Sequence, residues 1–251
     1  MIAAEKAGIF RPKVQALTSA RHPGALAELK LQAKRIGATL ATPDETAVEV
    51  LDSGWRLRCP EGAIELPPPS LQGGHQIENG ALAARAALLL RNAGWNIPDS
   101  AIASGMASAR WPGRLQKISD SPATFLDGAH NPDGCAVLAR FVNSLPPPRA
   151  LVFACMKDKP YAEMAKILWP AFDAIWITGL PMKRCAKPDE ILSAAPWPNV
   201  RVIDDVPRAL EEARAFAGAD GSVVAAGSLY LAGRLLQSTR AQEATLFGTG
   251  L

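Results

Sequence analysis

The sequence offers little to build a metal site or a disulfide framework from. Its four cysteines, Cys59, Cys135, Cys155 and Cys185, form no Cys-x-x-Cys pair, and the three histidines, His22, His75 and His130, are just as scattered. Zinc-type spacing is therefore excluded, and isolated cysteines point to reduced thiols in a cytosolic setting. No apolar run approaches the roughly 20 residues that span a bilayer. The longest, residues 81–90, is interrupted by Arg85 and reads as a buried helix. Met1-Ile2-Ala3-Ala4-Glu5-Lys6 carries no signal-peptide pattern. There is no dense Lys/Arg run, and with a net charge of +3 the composition argues against nucleic acid as the main partner. The absence of G-x-G-x-x-G and of G-x-S-x-G removes the commonest dinucleotide and esterase readings.

What is present is the make-up of a soluble globular protein, 48% apolar and 20% charged over 251 residues. That length suits one large domain or two ordinary ones. In the first part, short strands are expected at 14–18 and 38–42, around a helix over 23–37 that starts at Pro23 and stops at Gly37. Residues 47–51, 55–59 and 63–66 alternate apolar with polar, separated by Asp52-Ser53-Gly54 and Glu61-Gly62, which predicts antiparallel hairpins. Helices are predicted at 77–93 and 98–109. Beyond residue 113 the rhythm becomes strand–helix alternation. Strands fall at 124–127, 150–154, 174–178, 200–203 and 222–226, with helices at 132–145, 160–169, 188–194 and 207–218. Such alternation predicts an α/β fold with a mainly parallel sheet covered on both faces. The domain boundary is expected near 111–113, giving domains 1–112 and 113–251, and 237–251 reads as a frayed tail.

The strongest local signal is Leu126-Asp127-Gly128-Ala129-His130-Asn131-Pro132. An apolar strand delivers Asp127 at its end, Asn131 can cap a helix, and Pro132 suits the first helical position. Ligands collect where strands end in open α/β sheets, so Asp127 and His130 could meet ribose hydroxyls, phosphate or metal-bound water; a plain capped turn is the alternative. In Gly74-His75-Gln76-Ile77-Glu78-Asn79, the amides of Gln76 and Asn79 lie three apart and could read an adenine edge, or simply cap a helix. Trp111-Pro112-Gly113-Arg114 could clamp a phosphate with the planar guanidinium of Arg114, or could be a linker. Glu5-Lys6-Ala7-Gly8 reads as a helix-end charge pair with a glycine stop. Gly227 and Gly233 have the spacing of a phosphate-binding loop, but Arg234-Leu235 replaces its Lys-Ser/Thr, so that reading fails.

The order of these motifs is similar to that of folylpolyglutamate and dihydrofolate synthases, the folate branch of the Mur ligase family. Glu-Lys-Ala-Gly-Ile, Gly-x-His-Gln-x-x-Asn, Trp-Pro-Gly-Arg-Leu, Leu-Asp-Gly-Ala-His-Asn-Pro and Gly-Ser-Leu-Tyr-Leu follow one another from Ile2 to about Leu236, and the segment from Val152 to Lys159 also resembles the family's strand and loop. The resemblance implies a remnant of the central ATPase domain followed by a Rossmann-like C-terminal domain. It implies ATP and Mg2+ as cofactors, glutamate and a pteroate or folate as substrates, and an acyl phosphate as intermediate. It also implies that Lys6, as a carbamate, is a magnesium ligand. Gln76 and Asn79 would contact nucleotide, Arg114 the ATP phosphates, and Asp127 and His130 the nucleotide and the cleft. Ser228 and Tyr230 fall in a further motif of the C-terminal domain.

The family pattern begins with a glycine-rich phosphate loop, pterin-binding segments and further magnesium ligands, and here the chain starts at the Glu-Lys-Ala-Gly-Ile motif. The expectation is a C-terminal part that is not a competent ligase alone, with a separately encoded P-loop half as a possible partner and an exposed sheet edge at 14–18. The alternatives are a non-catalytic module that binds glutamate, nucleotide or a partner, and a fragment of a cell-wall Mur ligase. No membrane association is expected.

Overall fold

A computed structural model describes residues 2–246, with side chains through Ser238. The chain divides into two compact units, one of Met1–Ser70 with Gly74–Arg110, the other of Leu71–Gly73 with Trp111–Leu251.

Unit 1 opens with α1 (Ile2–Lys6), which passes through a 3-10 turn at Ala7–Ile9. β1 (Gln15–Leu17) and β2 (Thr39–Ala41) pair in parallel, joined by α2 (Pro23–Ile36). Pro23 stands at the first position of α2, and the helix ends on Gly37 in the left-handed conformation. Only Ala7, Phe10, Leu29 and Ala33 are buried in this small cluster. The expected hairpins form β3 (Ala47–Leu51), β4 (Gly54–Cys59) and β5 (Gly62–Leu66), paired antiparallel in that order. Trp55, Leu57, Ile64 and Leu66 face α3 (His75–Asn92) and α4 (Asp99–Ser108), meeting Ala81, Ala84, Leu88 and Ile102.

Between these elements sits Arg85, 2% exposed, with every guanidinium donor engaged. Nε and Nη2 donate to Glu61 at 2.7 and 3.1 Å, Nη2 also to Glu45 at 2.9 Å, and Nη1 to the Thr42 carbonyl and Thr46 hydroxyl at 3.2 and 3.0 Å.

Unit 2 is a six-stranded sheet in the order β10-β9-β8-β11-β7-β6, parallel except for β6. Its strands are β6 (Gln116–Asp120), β7 (Ala123–Leu126), β8 (Arg149–Phe153), β9 (Ala174–Ile177), β10 (Val200–Val202) and β11 (Ser222–Ala226). The central strands are buried end to end, as apolar runs covered on both faces must be. Their side chains alternate between two cores. Leu151, Phe153, Ile175, Ile177, Val224 and Ala226 meet α5 (Pro132–Val142), α6 (Tyr161–Leu168) and α7 (Pro188–Ala194) on one face. Val152, Trp176, Val223 and Ala225 meet α8 (Val206–Ala217) and α9 (Leu229–Leu246) on the other. Each large apolar side chain so buried contributes about 1.5–3 kcal/mol.

The mainly parallel sheet covered on both faces is as the sequence predicts. Two elements differ from expectation. β6 is an edge strand with a single apolar residue, Ile118, and an irregular register between Lys117 and Ser119, so no apolar alternation announces it. The helix beginning at Leu229 runs on to Leu246 where a frayed tail was expected; residues 247–251 lie outside the described ones.

Candidate functional site

The helices after β7 and β8 cover one face of the sheet, while α9, which follows β11, covers the other. β11 lies between β7 and β8, so the chain leaves the sheet in opposite directions at neighbouring strand ends. That reversal is where open α/β sheets hold ligands.

Three sequence motifs meet at this point. Asp127 follows β7, and its own N–H donates to the Ala225 carbonyl at 2.9 Å, fixing it against β11. Its Oδ2 accepts the Leu115 N–H at 2.9 Å and its Oδ1 the Ala129 N–H at 2.8 Å. Gly128 donates its N–H to the Gly113 carbonyl at 2.7 Å, stitching the Arg114 loop to the His130 turn. A Cβ on Gly128 would lie 2.3 Å from Leu229 Cδ2, so the first turn of α9 packs closely on this turn and a larger residue there would have to displace the Leu229 side chain. Gly227 is held by two constraints, a φ of 103° and an added Cβ that would meet the Ala154 carbonyl at 2.5 Å.

The side chains these loops present differ in freedom. Arg114 is half-buried, its guanidinium 5.9 Å from the Trp111 ring centroid, a weak cation–π contact. His130 Nδ1 lies 2.7 Å from the Gly128 carbonyl. A carbonyl only accepts, so Nδ1 carries the proton and Nε2 is the lone-pair atom of the neutral ring. Asn131 caps α5 by accepting the Gly134 N–H at 2.7 Å. The buried Ser228 hydroxyl accepts the Tyr230 N–H at 3.1 Å, while Tyr230 itself is exposed. Leu115, the last residue of the Trp-Pro-Gly-Arg-Leu motif, is buried with a φ of 43°. A left-handed backbone at a non-glycine residue costs about 1–3 kcal/mol, so something must hold it.

Lys6, Gln76 and Asn79 belong to unit 1. Asn79 Nδ2 donates to Gln76 Oε1 at 3.1 Å, and Gln76 Nε2 lies 3.0 Å from His75 Nε2, so the buried Gln76 braces the exposed Asn79 in the first turn of α3. Lys6 is exposed and lies 3.8 Å from the Glu5 carboxylate. Among the described residues no group of three or more His, Cys, Asp or Glu side chains could hold a metal ion. A carbamate on Lys6 would add oxygens there without completing a coordination sphere, so these residues do not by themselves fit a divalent cation.

A further feature, to which the Val152–Lys159 segment contributes Lys157, lies at the ends of β8, β9 and β10. Lys157, Lys183 and Lys187, with Gly179, Cys185 and Asp204, line a cleft of about 230 Å³. The lysines come from loops as far apart as residues 157 and 187, which no local motif joins.

The order β10-β9-β8-β11-β7-β6, with helices on both faces, defines an open, doubly wound α/β domain, and Arg114, Asp127 and His130 stand on loops at its reversal point. Residues 113–229 match the family model described as "Mur ligase, glutamate ligase domain". The chain is 32% identical over 241 residues to the dihydrofolate synthase/folylpolyglutamate synthase of Bacillus subtilis, covering 91% of this chain and 55% of that protein. It superposes on Escherichia coli FolC in complex with DHPP and ADP with a TM-score of 0.85 at 30% identity, covering 96% of this chain and 57% of that one. It also superposes, with a TM-score of 0.81 at 26% identity, on the Yersinia pestis bifunctional folylpolyglutamate synthase/dihydrofolate synthase complexed with AMPPNP and Mn, covering 95% of this chain and 56% of that one. The chain thus contains a Mur ligase C-terminal domain and is strongly homologous, over nearly all of its length, to folylpolyglutamate/dihydrofolate synthases. It spans a little over half the length of these relatives.

Proposed function

We propose that this chain is the C-terminal part of an ATP-dependent ligase that joins L-glutamate to the carboxylate of a pteroate or folate. The observation that carries the reading is the gathering of Arg114, Asp127 and His130 at one reversal point of a sheet, in a chain whose relatives are ligases of this kind. Residues 1–112 are then the remainder of the central ATP-binding domain and 113–251 the C-terminal domain. The Escherichia coli relative holds ADP and the Yersinia pestis relative AMPPNP with Mn, which supports ATP with Mg2+ as the pair used here.

In this reaction a substrate carboxylate oxygen attacks the γ-phosphorus, the bond to the ADP oxygen breaks, and an acyl phosphate forms. The glutamate amine then attacks the acyl carbon, phosphate leaves and the amide remains, the amine having lost a proton. Arg114, a planar fork held near the reversal point, suits the phosphate oxygens of the nucleotide. His130 presents Nε2 as a lone-pair atom, placed to take up a proton. Asn79 offers an exposed amide of the kind that reads an adenine edge. The cleft of Lys157, Lys183 and Lys187 suits an anionic substrate such as glutamate. No step is assigned to a metal, since the described residues supply at most the Lys6 carbamate toward one.

The 251 residues contain no Gly-x-x-x-x-Gly-Lys-Ser/Thr loop, so the amides and lysine that usually cradle ATP phosphates must come from elsewhere. We therefore expect the chain assayed by itself to be inactive. The test is phosphate release from MgATP by the purified chain, given dihydropteroate or tetrahydrofolate plus glutamate. Substrate-dependent turnover by the chain alone would overturn the expectation of inactivity. Turnover only after adding a separately expressed P-loop half from a relative would support the ligase reading. Silence in both arms would favour a binding-only role, for which the absence of the phosphate loop is the specific argument.

A further inference from the structure

We infer that Gln116 is a positioning residue, one that fixes the turn carrying Arg114. What Arg114 holds rests on the ligase reading; the positioning itself is a property of unit 2 alone. Among the described residues the Arg114 guanidinium has no hydrogen bond or ion pair, only the weak contact with the Trp111 ring, so its placement is set by the backbone turn beneath it. That turn is left-handed on both sides of Arg114, with Gly113 at a φ of 71° and Leu115 at a φ of 43°. Gly113 uses both of its polar groups. Its carbonyl accepts the Gly128 N–H at 2.7 Å, and its own N–H donates to Gln116 Oε1 at 3.0 Å. Gln116 opens β6, where it pairs with Leu126 of β7. Its side chain therefore closes the turn around Arg114 and ties it to the edge of the sheet.

Side-chain chemistry separates this role from a direct contact with ligand. A backbone N–H only donates, so the oxygen of the Gln116 amide faces Gly113 and the nitrogen is left for other partners. A glutamate at this position keeps an acceptor at the same reach and loses the N–H donors. A methionine keeps the length and offers only a weak sulfur acceptor. If Gln116 works by holding Gly113, glutamate should preserve the turn and methionine should release it. A Gln116 that touched the nucleotide through its nitrogen would act independently of Arg114.

The first measurement is hydrogen exchange on the full chain. The Gly113 amide should exchange about fivefold faster in Gln116→Met, as the loss of one neutral hydrogen bond allows, and near the native rate in Gln116→Glu, with β11 unchanged in both. Unaltered exchange at Gly113 in Gln116→Met, or equal acceleration in the two variants, would overturn the inference. The second is a double-mutant cycle reading the affinity for a fluorescent ADP analogue. Gln116→Met should weaken binding about fivefold in the native background and less than about twofold once Arg114→Ala is present, as expected for residues acting through one another. Effects that simply multiply would overturn the inference and make Gln116 a ligand contact. If the native chain binds no analogue, the nucleotide reading of this chain fails, and the exchange at Gly113 alone decides the positioning. Should Gln116→Met lose its native circular dichroism, Gln116→Ala takes its place in both arms, with the same outcomes expected.

Discussion

The two units of this chain solve the problem of holding a fold in opposite ways. Unit 2 relies on apolar strands, with Leu151, Phe153, Ile175, Trp176 and Val224 fully buried between helices on both faces. Unit 1 has two small apolar clusters and, between its hairpins and α3, a buried cation with two carboxylates. The difference matters because apolar burial is non-directional and tolerant, whereas a buried ion pair is stabilising only while every partner is in place.

Removing the cation should therefore be the most damaging single change in unit 1. Arg85→Ala leaves Glu61, whose side chain is only 6% exposed, as an uncompensated charge, at a cost of about 3–5 kcal/mol. Hydrogen exchange followed residue by residue is the check. Protection should fall across β3, β4, β5 and α3 and stay near native in β8, β9 and β11. Equal loss in both units would mean that the two units do not differ in how they are held together.

The same contrast governs what could be read from the sequence. The central strands of unit 2 were legible because 150–154, 174–178 and 222–226 are apolar runs bounded by turns, and the hairpins because 47–66 alternates with turn residues at the right places. β6 escaped because an edge strand whose one apolar residue, Ile118, stands among Gln, Lys, Ser and Asp has no apolar alternation to detect. Arg85 could be seen only as an interruption in an apolar helix. Its partners lie 24 to 43 residues away, and no local rule connects them. At the candidate site, the motifs of Arg114, Asp127 and His130 were visible, but the bond from Asp127 to Leu115 was not, because backbone donors leave no mark on residue type.

Acid should separate the units next. Glu61 is held below its ordinary 4.5; burial pushes it up, and the hydrogen bonds from Arg85 and Cys59 more than offset this. Glu45 is lowered as well, first by the Thr42 N–H and then by Arg85. Both groups have a folded value below the unfolded one, so their contribution is present above about pH 4.5 and is lost as pH falls through the lowered folded values. Exchange protection in unit 1 should fall below pH 4.5 ahead of that in the sheet of unit 2. In Arg85→Met with Glu61→Leu and Glu45→Leu this acid sensitivity should disappear. Persistence of the acid step in that triple variant would place its origin outside the Arg85 cluster.

The smallest effect expected is on thiol chemistry, which changes no stability but separates the units by reactivity. In unit 2, burial pushes Cys135 up to about 12, with the Asp127 charge adding to it, and pushes Cys155 up to about 12, with Cys185 adding to it. At pH 8 a thiol of that kind is ionised about once in ten thousand molecules, and only the thiolate attacks a disulfide reagent. Cys185 is raised too, again chiefly by burial. In unit 1, Cys59 is raised by burial and by Glu61, but it is half-exposed where the other three are buried. With Ellman's reagent at pH 8 the native chain should label first at Cys59, and all four thiols should appear together only in denaturant. Early labelling of Cys155 while the β8 and β11 amides remain protected would show that the layer covering Cys155 opens while the sheet itself stays closed, and that the apolar interior of unit 2 is less closed than its packing implies.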